Sequence, residues 1–174
     1  MAAEAGLSES ELREGLMACL AVPRWVDEIM AGAPYPSLLE LLDAAAAAAN
    51  PLTVQEIDQA LASHPRIGER ATGESTAASF SRDEQSASAS EDAELAAALE
   101  AGNHAYEERF GRVFLIRAAG RDRRQILDEL HRRLQLDPAR EMATVASELR
   151  DIALFRIPKL FDRPVPQPEP DSTT

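Results

Sequence analysis

Three stretches of the sequence carry side chains whose types and spacing could do chemistry. His64 stands before Pro65, and a residue before proline is driven out of the helical region into an extended conformation. It therefore marks the point where a helix stops and an irregular stretch containing Gly68 begins. An imidazole at such a point can act as a general acid or base near neutral pH. It can equally be a cationic cap on the helix end, and spacing leaves both readings open. Ser81, Glu84 and Gln85 fall at i, i+3 and i+4, so they share one face of a helix start. The plainer reading is a capping box between Ser81 and Glu84. The same hydroxyl, carboxylate and carboxamide near the positive end of a helix would also suit a ligand rich in urea-like N–H and C=O groups.

Arg156 is the third. At about 100° per residue, Met142, Val145, Leu149, Ile152 and Ala153 form one apolar stripe, and Arg156 falls near its middle. A core-facing arginine needs an anionic partner, because a buried unpaired charge is very costly. A structural ion pair, a dipole cap ahead of Pro158, or a bound carboxylate gripped by the guanidinium fork would each meet that need. Of the three histidines, His131 reads as a surface residue, among Arg132 and Arg133 on the solvated face of a helix. His104 reads as structural, beside the Asn103, Tyr106 and Phe110 stripe. No pair of histidines has metal-ligand spacing and there is one cysteine, so no metal site is expected.

The elements that must position these groups are helices. Ser8 and Glu11, Ser37 and Glu40, Thr53 and Glu56, and Ser81 and Glu84 all have capping-box spacing. Behind the first lie Leu12, Leu16 and Leu20; Pro23 opens a short helix to Met30. Further helices are predicted over 37–49, 53–62, 81–110 (with a Ser/Ala-rich weak spot at 86–90), 122–136 and 138–157. From His64 to Phe80 the periodicity disappears, which reads as a long ordered loop. Gly111 ends a helix, and Val113 to Ile116 is an apolar run with no second run to pair with. It is expected to cross the core as an extended segment whose backbone groups find partners elsewhere. The fold class expected is all-α: one irregular bundle of seven to eight helices over residues 1–161, with a disordered, proline-rich tail at 162–174.

Composition agrees and excludes several classes of function. The chain has 174 residues, 45% hydrophobic and 28% charged, enough for one well-buried core and too few for two ordinary domains. A net charge of −12 argues against nucleic acid and anionic membranes as partners. An anionic ligand must therefore be captured by a few local donors. No membrane-spanning run or signal peptide is evident. With Cys19 as its one cysteine, read as an inert core thiol, a reducing, cytoplasmic setting is expected.

Taken in order, HPRIG (64–68), SRDEQ (81–85), NHAYEERFGRVFLIRAAGR (103–121), LDELHRRL and ELRDIALFRI (148–157) resemble the OHCU decarboxylases. These are 2-oxo-4-hydroxy-4-carboxy-5-ureidoimidazoline decarboxylases, also called allantoin synthases. The resemblance runs from about Leu7 to Leu160. It implies an all-helical carboxy-lyase, usually a homodimer, that forms (S)-allantoin in the last step from urate without metal or organic cofactor. Carried over by position, His64 matches the catalytic histidine and Glu84 the catalytic carboxylate. Ser81, Gln85 and Arg156 match side-chain ligand contacts, and Pro65 lines the pocket. Phe114, Leu115 and Ile116 match backbone contacts to the ureidoimidazoline substrate. A hydrolase of a related ureide and an inactive helical interaction module are the competing readings.

Overall fold

The computed structural model describes residues 7–64, 66–67, 80 and 93–161. The expected loop beyond Ile67, the weak spot at 86–90 and the tail at 162–174 lie outside them. Among the described residues there are seven α-helices and no strand. They are α1 (Glu9–Cys19), α2 (Pro23–Ala31), α3 (Leu38–Ala48), α4 (Val54–Leu61), α5 (Ala93–Phe110), α6 (Arg123–Arg133) and α7 (Pro138–Arg156). A 3₁₀ turn, Ile157–Leu160, closes the described chain. None of these helices is long and apolar enough to cross a membrane.

Among the described residues the expected caps are where the spacing puts them; Ser81 with Glu84 lies outside those residues. Ser8 with Glu11 and Thr53 with Glu56 form complete capping boxes. At Ser37 only the serine half is made, with Oγ accepting from the Glu40 N–H at 3.2 Å. A further box, Asp122 with Gln125, starts α6, and Asp137 caps α7. Gly111 ends α5 at φ +68°, a left-handed geometry that glycine adopts without strain. Gly102 serves packing instead: a Cβ there would meet Leu130 Cδ2 at 2.8 Å, so its absence lets α5 and α6 approach closely.

Two apolar clusters make the core. The larger joins α1 to α4 with α7 and the 3₁₀ turn, through Leu16, Trp25, Ile57, Leu149 and Ile152 among others. The smaller lies between α5 and α6, built on Leu99, Tyr106, Ile126 and Leu130. Residues 113–116 run between them. Val113 and Leu115 pack on the larger cluster, Phe114 and Ile116 on the smaller, the alternation expected of an extended chain. The backbone partners that this segment lacks in a ladder come from side chains. The Leu115 carbonyl accepts from Arg133 Nη1 at 2.7 Å, and the Arg117 N–H donates to Glu148 Oε2 at 2.7 Å.

Arg133 corrects the sequence reading. It does not share the solvated face of α6 with His131 and Arg132; it is 0% exposed. Its guanidinium is bound by the equally buried Glu141, whose carboxylate also accepts from the Tyr106 hydroxyl. It stacks 4.7 Å from the Phe114 ring centroid. Burial alone would lower the pKa of Arg133; the hydrogen bond and charge of Glu141 reverse that, and the net shift is upward. Burial and the Glu141 carboxylate push the Tyr106 hydroxyl up, so it remains a donor. Placed this way, the network ties α5, α6, α7 and the 113–116 segment at one point. His104, read as structural from the stripe beside it, is exposed on α5.

Candidate functional site

His64 follows the C-terminus of α4, where carbonyls lack intrahelical partners. Its N–H donates to the Leu61 carbonyl at 3.0 Å, and its Nδ1 lies 2.9 Å from the Ala60 carbonyl oxygen. A carbonyl only accepts, so Nδ1 carries the proton. In the neutral ring Nε2 is then the basic nitrogen. The residue is half-buried, with Nε2 shielded from bulk water. Backbone and ring are thus both fixed to the last turn of α4, which sets the tautomer and the ring's direction together.

Arg156 ends α7 and is 2% exposed, on the stripe of Val145, Leu149, Ile152 and Ala153 that the periodicity predicts. Its Nη1 is 3.5 Å from the carbonyl of Cys19, the last residue of α1. Its guanidinium carbon lies 5.7 Å from the centroid of the Phe80 ring, an arrangement favoured by the ring's negative face. Phe80 immediately precedes Ser81 in the sequence.

Phe114, Leu115 and Ile116 are buried in the strip between the two clusters. With Leu115 and Arg117 held toward one edge, the N–H and C=O groups of Phe114 and Ile116 turn toward the other. Among the described residues no hydrogen bond is made to the backbone of Phe114 or Ile116. Buried backbone groups are nearly always paired, so this edge offers donors and acceptors to whatever lies beside it.

Residues next to most of these pieces share the larger cluster, whereas Phe114 and Ile116 belong to the smaller one. Ala60 and Leu61 (before His64), Phe80 (before Ser81), Leu115, and Ile152, Ala153 and Ile157 around Arg156 all belong to the larger. Pro65, Ser81, Glu84 and Gln85 lie outside the described residues. A cavity of about 510 Å³ runs along α5, and its described walls include Arg66, Ile67, Leu99, Asn103, His104 and Arg123 but neither His64 nor Arg156. Sequence reasoning missed the Arg133, Glu141 and Tyr106 network that holds the 114–116 strip. The signal existed: Ile126, Leu130 and Arg133 stand at i, i+4 and i+7, which places Arg133 on the apolar face of α6.

The sequence model of the OHCU decarboxylase family matches residues 5–158. No curated protein matches. Among solved structures, one described as OHCU decarboxylase in the presence of (S)-allantoin is similar, with a TM-score of 0.72 and 24% identity over 86% of this chain and 99% of that one. A second, described as (S)-allantoin synthase, has a TM-score of 0.64 and 16% identity, covering 90% of this chain and 52% of that longer one. At these identities the structural likeness speaks for the shared helical fold, and the family match, spanning nearly the whole chain, speaks for kinship. The chain therefore belongs to the OHCU decarboxylase family and is a decarboxylase, a carboxy-lyase acting on OHCU.

Proposed function

We propose that the chain decarboxylates OHCU at C4 and delivers (S)-allantoin, with His64 and Glu84 as its catalytic pair. The observation that supports this reading is that Arg156, buried at the end of α7, lies 5.7 Å from the ring of Phe80, the residue before Ser81, within a cluster that also holds the end of α4 and Leu115. Chemistry supports it. The bond between C4 and the carboxyl carbon breaks, CO2 leaves, and its electron pair forms a C4=C5 double bond. The former C5=N pair moves onto nitrogen, which takes a proton. The resulting enol then loses its O–H proton as C5 gains one. A hydrogen replaces the carboxyl group, and the substrate's own C=N bond is the electron sink, so no cofactor is required.

Arg156 holds the anionic or carbonyl end of the substrate; its burial strengthens that attraction by keeping the local dielectric low. His64 presents Nε2 to the C4 hydroxyl or carboxylate, its Nδ1 being occupied by Ala60. Glu84 and Gln85, with Ser81, grip the ureido arm, and Pro65 lines the pocket. The backbone edge of Phe114 and Ile116 meets the ring's polar groups; Leu115, expected to join them, has its carbonyl taken by Arg133 on the opposite edge. We also read the protein as a cytoplasmic homodimer. The single cysteine suits a reducing compartment.

The handedness of the product tests the assignment. Without a catalyst the planar C5 of the enol is protonated from both faces, and the product is racemic. Freshly made OHCU, followed by circular dichroism, should give an excess of (S)-allantoin with the native chain and none with His64→Asn or Glu84→Gln. Full rate and handedness in His64→Asn would sink the role given to His64.

A further inference from the structure

The two residues that follow Pro65 are tied to α5. The Arg66 guanidinium meets Glu107 as a fork on a carboxylate, with Nε to Oε1 and Nη2 to Oε2 both at 2.5 Å. One residue later, the Ile67 carbonyl accepts from Asn103 Nδ2 at 3.0 Å. Asn103 and Glu107 stand at i and i+4, one turn apart on the same face of α5. That helix is itself immobilised from its other side, by the Tyr106 bond to Glu141 and by the close approach of Gly102 to Leu130. Before His64, the N–H bond to Leu61 and the Nδ1 contact with Ala60 anchor the ring to α4. His64 therefore sits between two anchors on two different helices.

We propose that Glu107 and Asn103, through Arg66 and Ile67, are positioning residues for His64. This rests on the reading of His64 given above and extends it to α5. The Arg66 and Glu107 side chains are 39% and 23% exposed, and an ion pair that open to water contributes little to stability. What a two-pronged contact does supply is direction. The one residue between His64 and Arg66 is a proline, whose ring admits little rotation about φ. That removes one of the backbone torsions through which a shift of Arg66 could be absorbed before it reaches His64. Misplacement of a catalytic group by about 1 Å costs roughly 100-fold in rate, so the anchor acts on kcat rather than on substrate binding.

The test is a charge swap in the full chain, with initial rates on freshly made OHCU and melting temperature measured on the same samples. Arg66→Glu and Glu107→Arg should each lower kcat roughly 10- to 100-fold while KM stays within about two-fold. The double swap should restore most of the lost kcat. Glu107→Gln, which keeps one acceptor for Arg66, should fall between, and Asn103→Ala should lower kcat in the same way. If the single reversals lower the melting temperature and leave kcat alone, the pair is structural only and the proposal is wrong. It is also wrong if Arg66→Glu raises KM and the swap restores nothing, because Arg66 then meets the substrate itself. His64→Asn, run alongside, separates the two levels. An inactive His64→Asn with unimpaired charge reversals overturns the clamp alone. A fully active His64→Asn overturns the reading of His64, and the clamp with it.

Discussion

Along one face of α7, Glu141 stands in the first turn and Arg156 in the last, with Val145, Leu149 and Ile152 between them. Both charges are buried, at 1% and 2% exposure. Glu141 meets groups from the helices that frame the fold. Arg133 of α6 and Tyr106 of α5 bind it, and Arg133 goes on to hold the Leu115 carbonyl. Arg156 meets pieces of chain that come from far away in sequence, the Cys19 carbonyl and the Phe80 ring. One end of the stripe knits three helices and the core-crossing strip together. The other stands next to the segment that leads into SRDEQ. Burial of a charge is thus not in itself a sign of function; the origin of the groups around it is what separates the two ends.

The contrast predicts opposite losses. Arg133→Ala leaves Glu141 buried without its cation and should lower stability by about 3–5 kcal/mol, read from urea unfolding. Arg133→Met combined with Glu141→Leu should recover much of that, since replacing a buried pair by apolar groups of similar volume is often neutral. A loss below about 1 kcal/mol for Arg133→Ala would mean that the pair is not what holds this end together. Arg156→Gln should do the reverse. In the role proposed for Arg156, losing a charge-assisted contact to the anionic or carbonyl end of the substrate costs about 1.5–3 kcal/mol, so kcat/KM should fall roughly 10- to 150-fold, with a smaller loss of stability than for Arg133→Ala. If Arg156→Gln keeps its rate but is destabilised as much as Arg133→Ala, the two ends of α7 are alike and the contrast fails.

The same comparison shows how far the sequence could be read. Helix order, the break at Gly111 and the crossing strip were legible because each depends on local chemistry: caps, a left-handed glycine, and an apolar run with nothing to pair with. Arg156 was legible because five apolar residues of the same stripe fix the face it occupies. Arg133 obeys the same periodicity, with Leu130 and Ile126 one and two turns before it, yet Arg132 and His131 beside it suggest a solvated face. A helix that carries three basic residues in its last turn hides which of them turns inward, and only Glu141, on the next helix, decides it. The convergence of α4, Phe80, Leu115 and α7 was not legible from spacing at all, because it depends on how helices distant in sequence pack. The order of motifs supplied the candidate residues by resemblance. Neither spacing nor resemblance pointed to the ties from Arg66 and Ile67 to α5, which depend on how that loop returns to the helix.

A third ion pair, Arg24 with Glu56, sharpens the contrast from the surface. Arg24 Nε reaches Glu56 Oε1 at 2.5 Å, but the arginine side chain is 45% exposed. The Arg24 hydrogen bond, followed by the donors of Thr53, holds the Glu56 carboxyl down from its ordinary 4.5 to about 2, against the opposing effect of burial. A carboxyl whose folded pKa is depressed favours the folded state above its unfolded value, and that contribution disappears as pH falls toward the folded value. Stability from Glu56 is therefore fully present above about pH 5, and it should drain away between pH 4.5 and 2. Glu56→Gln isolates the charge, because a glutamine oxygen can still accept from the Thr53 N–H and keep the capping box. At neutral pH and low salt the variant should be less stable by up to about 1 kcal/mol, the upper range for an exposed pair. Adding salt should narrow that gap, and acid should close it, both read from urea midpoints across a pH series. Arg133 and Glu141, shielded from water, should show no such sensitivity to salt. A Glu56→Gln gap that survives both salt and acid would show that packing or the cap, not the charge, holds α4 to α2, and exposure would then no longer explain why this pair is weak and the buried one strong.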